Sequence, residues 1–458
     1  MMLSGRAEAR PYERAHPLPL VPMNRRVFTQ LFSAVTGGFA LGAHRVGAGQ
    51  PGQESASDSD RWPEDDCAVP PPIAKLNSMT SDVVPISDDE RRGRIEKARR
   101  LMADREMGAV VLEPGSSMTY FTGVRWGTSE RPFVVVIPAV GPLAYVTPAF
   151  EEARAREVIK FADDVRTWQE DESPYQRIAE ILRDRGVATG RIGWEERVRF
   201  FIMDGVRHEL PAAESVIATP VTAGCRMFKS PAEIALLQRA NDMTIAVYRV
   251  VFPLLREGMT QRELGKYINA AYQRLGGSEG YALTSFGKYT AFPHGSVQPQ
   301  LLHEGDMVLV DGGCHVGGYE SDITRMAVLG KPTQRQLDVW AIERRAQDAA
   351  FAAAKIGATC ESVDAAARKV LTDAGFGPDY KVPGLPHRTG HGIGLDGHEW
   401  TNFVRGNTTP IQPGMCFSDE PTIAIYGEFG IRLEDCLHMT ENGPVFFSKQ
   451  SESLEHPV

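Results

Sequence analysis

Four carboxylates and one imidazole in the C-terminal half of this 458-residue chain lie in segments that are otherwise apolar or Gly-rich. Burying a carboxylate is costly unless its charge is paired or bound to a metal ion, so the chain must fold in a way that brings these side chains together. A set rich in oxygen donors suits a pair of divalent ions rather than one structural zinc, which prefers Cys and His. The five candidate ligands are Asp311, Asp322, His391, Glu420 and Glu434.

The four acids form two pairs along the chain, and a short Gly-containing connection links the two members of each pair. Asp311 ends the apolar run 308–310, and Asp322 follows eleven residues later, after a Gly-rich segment that can form a hairpin. Glu420 and Glu434 flank residues 422–430, which contain two glycines and can also form a hairpin. Either pair alone could be an ordinary solvated turn. Together they predict a centre for two metal ions, which polarise a carbonyl and activate water for amide hydrolysis.

Three histidines, His387, His391 and His398, lie within twelve residues of a Gly-rich segment. A lone histidine is more often a surface or core residue than a ligand, but this clustering favours a functional role. His294 taken alone is interpreted as a loop residue. Arg432 is expected to orient a carboxylate.

The order of predicted elements indicates two domains behind an N-terminal region. Strands alternate with helices from a capping box at Ser87, which predicts a smaller α/β domain over residues 86–228. Capping boxes at Ser230 and Thr260 begin further helices, and helix pairs followed by largely antiparallel strands predict an α+β domain over 229–458. Residues 49–85, rich in Ser, Asp, Gly and Pro, are interpreted as a linker or extended arm, with ordered structure expected from Ser87 onward.

Residues 1–48 have the pattern of an export signal. Arg25 and Arg26 precede a mildly apolar stretch, 31–43, and small residues at 46–48, in the order typical of a twin-arginine signal. This pattern predicts a periplasmic or secreted protein, or a cytoplasmic one if the arginine pair is a coincidence. The start of translation is open between Met1 and Met23.

Composition argues against several classes of protein. A net charge of −9 without a concentrated basic stripe disfavours nucleic acid as a partner. No apolar run reaches the roughly 18–20 residues that a membrane span needs. Six scattered cysteines include no CxxC, so neither a zinc ribbon nor a dithiol site is indicated. Buried free thiols are expected, although a bridge between Cys416 and Cys436 is left open.

These segments together resemble the pita-bread metallopeptidase family, in particular its Xaa-Pro branch of aminopeptidase P and prolidase. The resemblance extends from residue 229 to about 442, and residues 86–228 are similar, more loosely, to the creatinase-type N-terminal domain of that branch. It implies two divalent ions per subunit. Mn²⁺ is the first candidate, and Co²⁺, Zn²⁺ or Fe²⁺ are the alternatives. In the implied arrangement Asp311 binds one ion, His391 and Glu420 bind the other, and Asp322 and Glu434 bridge both.

The resemblance also implies a reaction. Glu420 would act as general base, and His294, His387 and His398 would face the substrate and stabilise the tetrahedral intermediate. Arg432 is grouped with the residues that bind substrate. The expected activity is hydrolysis of the bond before proline in short peptides, as an Xaa-Pro aminopeptidase or dipeptidase, in a homodimer or homotetramer.

Two other functions are compatible with parts of this pattern. A pita-bread hydrolase or lyase acting on a small zwitterion, ectoine-hydrolase-like or dimethylsulfoniopropionate-lyase-like, is the alternative, because one fold hosts many functions. An inactive binding protein would have no need of all five ligands. The departures from the family pattern at Met326, 418–419 and 421–422 neighbour the site without removing a ligand, so they bear on substrate preference.

Overall fold

The computed structural model describes residues 68–458. The twin-arginine segment, both candidate starts and Cys67 lie outside the described residues. The α-helices are α1 (Pro71–Ala74), α2 (Asp88–Ala103), α3 (Ser116–Thr122), α4 (Glu152–Val158), α5 (Pro174–Asp184), α6 (Phe200–Glu209), α7 (Thr219–Arg226), α8 (Pro231–Val251), α9 (Gln261–Leu275), α10 (Gln334–Ala353) and α11 (Cys360–Asp373).

The strands of the same residues fall into two groups along the chain. The first group is β1 (Met107–Leu112), β2 (Val134–Pro138), β3 (Ala144–Pro148), β4 (Asp164–Trp168), β5 (Arg191–Trp194) and β6 (Glu214–Ile217). The second is β7 (Ser278–Phe286), β8 (Met307–Val316), β9 (Tyr319–Glu320), β10 (Ile323–Val328), β11 (Gly390–Gly392), β12 (Glu399–Phe403), β13 (Cys416–Asp419), β14 (Thr422–Ile425), β15 (Phe429–Arg432), β16 (Asp435–Thr440) and β17 (Gly443–Phe446).

The first group forms one mixed sheet in the order β4-β3-β2-β1-β5-β6, with β1 antiparallel to β2 and parallel to β5. Strands β2 and β3 are buried at every position, as expected where helices cover both faces of a sheet. Separate apolar clusters lie on the two faces, one around Ile95 and Phe121 and one around Ile178 and Val206. The prediction of an α/β N-terminal domain is confirmed.

The second group is antiparallel throughout and forms three sheets. They run β10-β8-β7 with β9 beside β8, β12-β11-β13-β16-β17, and the hairpin β14-β15. Helices α8 and α9 pack on the first of these sheets, around Leu237 and Tyr272, and a second cluster around Val339 and Phe417 joins α10 and α11 to the others. The prediction of an α+β C-terminal domain is confirmed.

Side-chain caps begin the long helices where the sequence predicts them. Ser230 accepts a hydrogen bond from the Glu233 backbone N–H while the Glu233 carboxylate accepts one from the Ser230 N–H, so α8 begins with a complete capping box. Ser87 caps α2 in the same way, but the Glu90 carboxylate accepts from Arg94 and from the Ser230 hydroxyl instead. The start of α8 is therefore tied to α2 of the other domain.

Ordered structure begins before Ser87, contrary to the sequence-based expectation. Ile73 in α1 is fully buried against α8 and α9, and the Met79 N–H donates to the carbonyl of Leu275 at the end of α9. Arg239 of α8 donates in turn to the Met79 carbonyl. The few apolar residues of 68–86 pack on the larger domain, although the composition of 49–85 as a whole is that of a linker.

A buried group of ion pairs joins the two domains. Arg226, the last residue of α7, pairs with Asp396 and Glu399, and Lys229 pairs with Glu399 at 3.0 Å. Burial alone would raise the pKa of Glu399, but the charges of Arg226 and Lys229 outweigh it and lower that pKa to about 2. The loop before β12 is thereby held against the N-terminal domain.

Two further expectations concern the helices and the thiols. No helix among residues 68–458 is long and apolar enough to cross a lipid bilayer. The five cysteines of this part of the chain are free and buried, as expected. Cys416 and Cys436 lie on the paired strands β13 and β16, and the Cys436 thiol donates to the Asp322 carbonyl at 3.0 Å instead of forming a disulfide.

Candidate active site

The strands of the C-terminal domain bring the five predicted ligands together at their ends. Asp311 lies within β8 and Asp322 directly before β10, and the β8–β10 pairing sets Thr324 opposite Asp311. The other three lie in β11, directly after β13 and at the β15–β16 junction. All except the half-buried Asp311 are buried.

Potential donor atoms form overlapping groups of three. His391 Nε2 lies 3.2 Å from Glu420 Oε1 and 3.6 Å from Asp322 Oδ2. One ligand atom from each of His391, Glu420 and Glu434 lies within 4.8 Å of the other two, and the same holds for Asp311, Asp322 and Glu434. Because Glu434 belongs to both groups, the arrangement suits two adjacent ions that share a carboxylate.

The electrostatics of the cluster favour the binding of cations. Burial, followed by the charges of neighbouring acids, raises the pKa values of Asp322 and Glu434 well above their ordinary range. Burial likewise raises the pKa of Glu420, to about 7. Asp311 Oδ1 and Glu434 Oε1 are buried and accept no hydrogen bond from the described residues. Orphaned acceptors and mutually repelling carboxylates are costly unless cations neutralise them, so the residues fit divalent metal ions.

Hydrogen bonds from neighbouring side chains aim the ligands. The His391 Nδ1–H donates to the Gly392 carbonyl, with 3.1 Å between N and O, so the lone pair of Nε2 faces the carboxylates. The Tyr281 hydroxyl donates to Asp322 Oδ1 at 2.5 Å, and the Thr324 hydroxyl donates to Glu434 Oε2 at 2.6 Å. These contacts hold the donor atoms in place.

Arg432 is buried and binds a carboxylate, as expected. Its Nη2 donates to Asp311 Oδ2, its Nε donates to the Thr324 hydroxyl at 3.0 Å, and its Nη1 donates to the Pro293 carbonyl at 2.9 Å. The last contact anchors the loop that carries His294, which is exposed. The assignment of Arg432 to substrate binding stays a prediction.

The other two predicted histidines differ in their hydrogen bonding. The centroid of the His398 ring lies 3.9 Å from that of His391, with the two rings tilted by 40°. The Nδ1 of His398 accepts from Arg388 Nη2 at 2.9 Å, so the proton of the neutral His398 ring is on Nε2. His387 Nδ1–H donates to the Arg388 carbonyl at 2.7 Å, and its Nε2 lies 3.1 Å from the Thr422 hydroxyl. Burial, helped by the charge of Arg432, lowers the pKa of His387 to about 3, which keeps the ring neutral. The roles of His294, His387 and His398 toward substrate stay predictions.

Several residues that shape the site were not predicted from the sequence. Ser418 accepts from the His391 N–H at 3.0 Å and donates to Glu420 Oε1 at 3.3 Å. Arg325, fully buried, pairs with Asp435 at 2.6 Å and donates to the Glu434 carbonyl at 2.8 Å. Ser418 is one of the positions at which the sequence departs from the family pattern, and that departure could have indicated its role at the site. Tyr281 lies in β7, where no local sequence motif marks it, so it could not have been predicted.

Two cavities lie in this part of the molecule. One of about 380 Å³ adjoins the cluster at the domain junction and is lined by Arg388, His398 and Trp400 on one side and by Arg197 and Arg226 on the other. A larger cavity of about 940 Å³ lies between α9 and residues 286–289. Neither cavity is lined by any of the five candidate ligands, but the smaller one reaches the cluster through His398, whose ring centroid lies 3.9 Å from that of His391.

Comparison with known proteins decides the family. Residues 235–441 match metallopeptidase family M24, and residues 94–228 match the creatinase/prolidase N-terminal domain. An uncharacterized peptidase of Schizosaccharomyces pombe is 35% identical over 392 residues, 81% of this chain and 84% of its own. The chain belongs to metallopeptidase family M24. Among M24 relatives, the Xaa-Pro dipeptidase of Lactobacillus delbrueckii subsp. lactis is 31% identical over 371 residues, 79% of this chain and 98% of its own.

Solved structures agree with the M24 assignment. The dipeptidase PepE from Mycobacterium ulcerans is similar with a TM-score of 0.75 and 32% identity, over 81% of this chain and 99% of that one. A prolidase from Thermococcus sibiricus is similar with a TM-score of 0.73 and 27% identity, over 80% and 98%. The predicted family, pita-bread fold with a creatinase-type N-terminal domain, and enzyme class are confirmed.

Membership of M24 makes the chain a metallopeptidase that uses divalent metal ions. Within residues 68–458, every group of three or more closely spaced donors lies in the cluster described above. His398 joins one of these groups, with Asp322 and His391. The acid-rich cluster is thus the place in the described chain with donors for those ions.

Proposed function

We propose that this M24 protein hydrolyses the peptide bond that precedes proline in short peptides. The observation that carries the proposal is the pair of overlapping donor groups that share Glu434, a geometry suited to two ions acting on one carbonyl. Relatives and solved structures named Xaa-Pro dipeptidase and prolidase support proline as the residue after the cleaved bond. They favour peptides over a small zwitterion as substrate.

We assign two divalent ions to the cluster, with Mn²⁺ as the first candidate and Co²⁺, Zn²⁺ or Fe²⁺ as alternatives, because oxygen donors predominate. Bound ions would polarise the scissile carbonyl and lower the pKa of water. The assignment of donors is Asp311 to one ion, His391 and Glu420 to the other, and Asp322 and Glu434 to both.

The residues around the ions would have separate roles in proton transfer and in stabilising the intermediate. Glu420 Oε1 lies 3.2 Å from His391 Nε2, so the Glu420 carboxylate is suited to accept a proton from a water at the cluster and to pass it to the departing proline nitrogen. His398 carries its proton on Nε2, because Nδ1 accepts from Arg388, so Nε2–H can donate to the negatively charged oxygen of the tetrahedral intermediate. The contact of Arg432 with the Pro293 carbonyl, next to His294, supports a role for His294 as a further donor to that oxygen.

Export and assembly are further parts of the proposal. The arginine pair at 25–26 and the apolar stretch behind it support export through the twin-arginine pathway, and the family resemblance supports a homodimer or homotetramer. Changing both arginines to lysine should retain the protein in the cytoplasm, whereas unchanged fractionation would contradict the export proposal. Light scattering of the purified protein would measure the assembly.

The substrate proposal is tested with two dipeptides that share their first residue and end in proline or alanine. The Mn²⁺-loaded protein should cleave the proline dipeptide at least about a hundredfold faster, and chelation or Glu420→Gln should abolish the difference together with the activity. Glu441→Gln, an exposed change, serves as the matched control. Equal cleavage of both dipeptides would refute proline specificity. Cleavage of neither by metal-loaded protein would refute the peptide substrate and direct the search to small zwitterions.

A further inference from the structure

The cavity of about 940 Å³ between α9 and residues 286–289 has no part in the chemistry proposed above. None of the five candidate ligands and none of the three candidate substrate histidines lines it. Its apolar walls include Phe286, Pro299 and Leu301, and Tyr289 adds a second aromatic ring. Cavities of roughly 300–1,000 Å³ with largely apolar walls are typical of sites for small molecules. This cavity is therefore a candidate for a second binding site.

Hydrogen bonds fix the chain segments that form the walls of this cavity. The Gly258 N–H donates to the Leu302 carbonyl at 2.8 Å, and the Leu302 N–H donates to the Met259 carbonyl at 2.9 Å. The Phe286 N–H donates to Gln300 Oε1 at 2.8 Å, which ties the end of β7 to the same segment. The cavity is thus formed by the fold itself and does not require a ligand to open it.

The side chain of Gln300 supplies a buried donor that has no acceptor. Gln300 lines the cavity, and its exposed fraction is 4%. Because Oε1 accepts from the Phe286 N–H, the other end of the amide is the NH₂ group. Nε2 has no hydrogen-bond partner among residues 68–458. An unsatisfied buried donor is costly, and a carbonyl oxygen on a bound molecule would satisfy it.

Lys288 supplies a positive charge at the rim of the same cavity. It is exposed, its ammonium group lies 5.3 Å from the centroid of the Tyr289 ring, and it has no carboxylate partner in the described part of the chain. Among the other charged side chains of the walls, Arg256 pairs with Glu263 at 2.5 Å, and Asp306 accepts a backbone N–H at 2.9 Å. Lys288 is therefore available to an anionic group of a ligand.

We propose that this cavity binds a short peptide or an acylated amino acid that ends in a bulky apolar residue with a free carboxylate. Both sources offer the same three groups. The amide carbonyl accepts from Gln300 Nε2, the apolar side chain packs against Phe286 and Leu301, and the carboxylate pairs with Lys288. The site is separate from the metal-ligand cluster, so the proposal goes beyond hydrolysis of the bond before proline and does not depend on it.

The test is isothermal titration calorimetry of the Mn²⁺-loaded protein with N-acetyl-L-phenylalanine. We expect binding, and its C-terminal amide should bind roughly threefold more weakly because it lacks the charge that pairs with Lys288. Gln300→Glu keeps the acceptor for the Phe286 N–H but replaces the Nε2 donor by an oxygen, so it should weaken binding at least about tenfold. Leu301→Trp, at a position that is 52% exposed, narrows the cavity and should also weaken binding at least about tenfold.

Lys288→Met should weaken binding of the acid roughly threefold. Lys331→Met is its matched control, since Lys331 is exposed and lies outside the cavity, and it should bind like the wild type. The tripeptide Gly-Gly-Phe separates the two sources, because whichever of the two probes binds more tightly identifies the class of ligand.

Binding of neither probe by the wild-type protein would overturn the proposal. Binding that Gln300→Glu and Leu301→Trp both leave unchanged would place the ligand elsewhere and would overturn it equally. If Gln300→Glu does not fold, as judged by circular dichroism, Leu301→Trp and Lys288→Met decide. Because the heat of binding is measured without any cleavage, failure of the proposed peptidase activity would leave this result unaffected.

Discussion

Thr422 lies at one of the sequence's departures from the family pattern, and its hydroxyl lies 3.1 Å from His387 Nε2. Because the Nδ1–H of His387 is used by the Arg388 carbonyl and the ring is neutral, the Thr422 hydroxyl is the donor in this contact. A side chain at this position therefore fixes the orientation of a ring beside the metal ligands. This contact accounts for one departure from the family pattern.

Thr422→Val keeps the shape of the side chain and removes the donor. We expect kcat on an Xaa-Pro dipeptide to fall roughly fivefold, which corresponds to the loss of about 1 kcal/mol from one hydrogen bond. Thr422→Ser retains the hydroxyl and should stay near wild-type activity. Equal kcat in the valine and serine variants would show that the hydroxyl does not orient His387 for the reaction.

At the junction between α7 and β12, ion pairs hold these two elements against each other. Arg226 pairs with two acids of the loop and strand that follow His391, and its removal would leave the buried Glu399 with Lys229 alone. Breaking a buried ion pair at one end costs about 3 kcal/mol, because the remaining charge stays buried. The fold thus depends on this junction to hold the His398 loop.

Arg226→Met should lower the free energy of unfolding by about 3 kcal/mol, measured by urea denaturation of the metal-free protein. Arg156→Met is the matched control, because its pair with Glu152 is exposed and should contribute less than about 0.5 kcal/mol. Similar losses in both variants would contradict a structural role for the junction.

Helices with side-chain caps were predictable, and several short helices without them were not. Ser87, Ser230 and Thr260 each accept a hydrogen bond from the first turn of the helix they precede, and a local sequence pattern marks that geometry. Helices α3, α6 and α7 have no side-chain cap, with Gly115 before the first of them. Their stability comes from tertiary packing, so the local sequence carries little signal for them.

The candidate ligands were predictable for a related reason, since each ends or begins an apolar strand in a recognisable segment. Their supporting hydrogen bonds were not. Tyr281 is 41 residues from Asp322, and Thr324 is 110 residues from Glu434. Such contacts depend on which strands become neighbours, and strand pairing over these distances has no local signature in a single sequence.

At the scale of the whole molecule, the acid cluster makes the stability of the fold depend on pH and on bound metal ions. Without ions, the pKa of Glu420 is raised to about 7 from its ordinary value of 4.5, and burial also raises those of Asp322 and Glu434 well above their ordinary range. These three carboxyl groups therefore bind more protons in the folded metal-free protein than in the unfolded chain, and their contribution to stability falls as pH rises from about 4.5 through 7. Bound metal ions replace these protons and remove the loss.

The increase in Tm on loading with Mn²⁺ should therefore be larger at pH 8 than at pH 5, by roughly 3 °C or more. Differential scanning calorimetry of metal-free and loaded protein at the two pH values measures it. The variant Glu434→Gln, which removes the shared carboxylate, should show a smaller pH dependence. An increase in Tm that is equal at both pH values would contradict the coupling.

The central claim is that the five converging side chains hold two divalent ions that cleave an Xaa-Pro bond. Its most direct test is the rate of cleavage of an Xaa-Pro dipeptide by metal-free protein as Mn²⁺ is added, recorded against equivalents bound. We predict no cleavage without metal and saturation near two equivalents, with Glu441→Gln unchanged and Glu434→Gln strongly impaired. Cleavage by the metal-free protein, or a rate that does not depend on bound metal, would contradict the account.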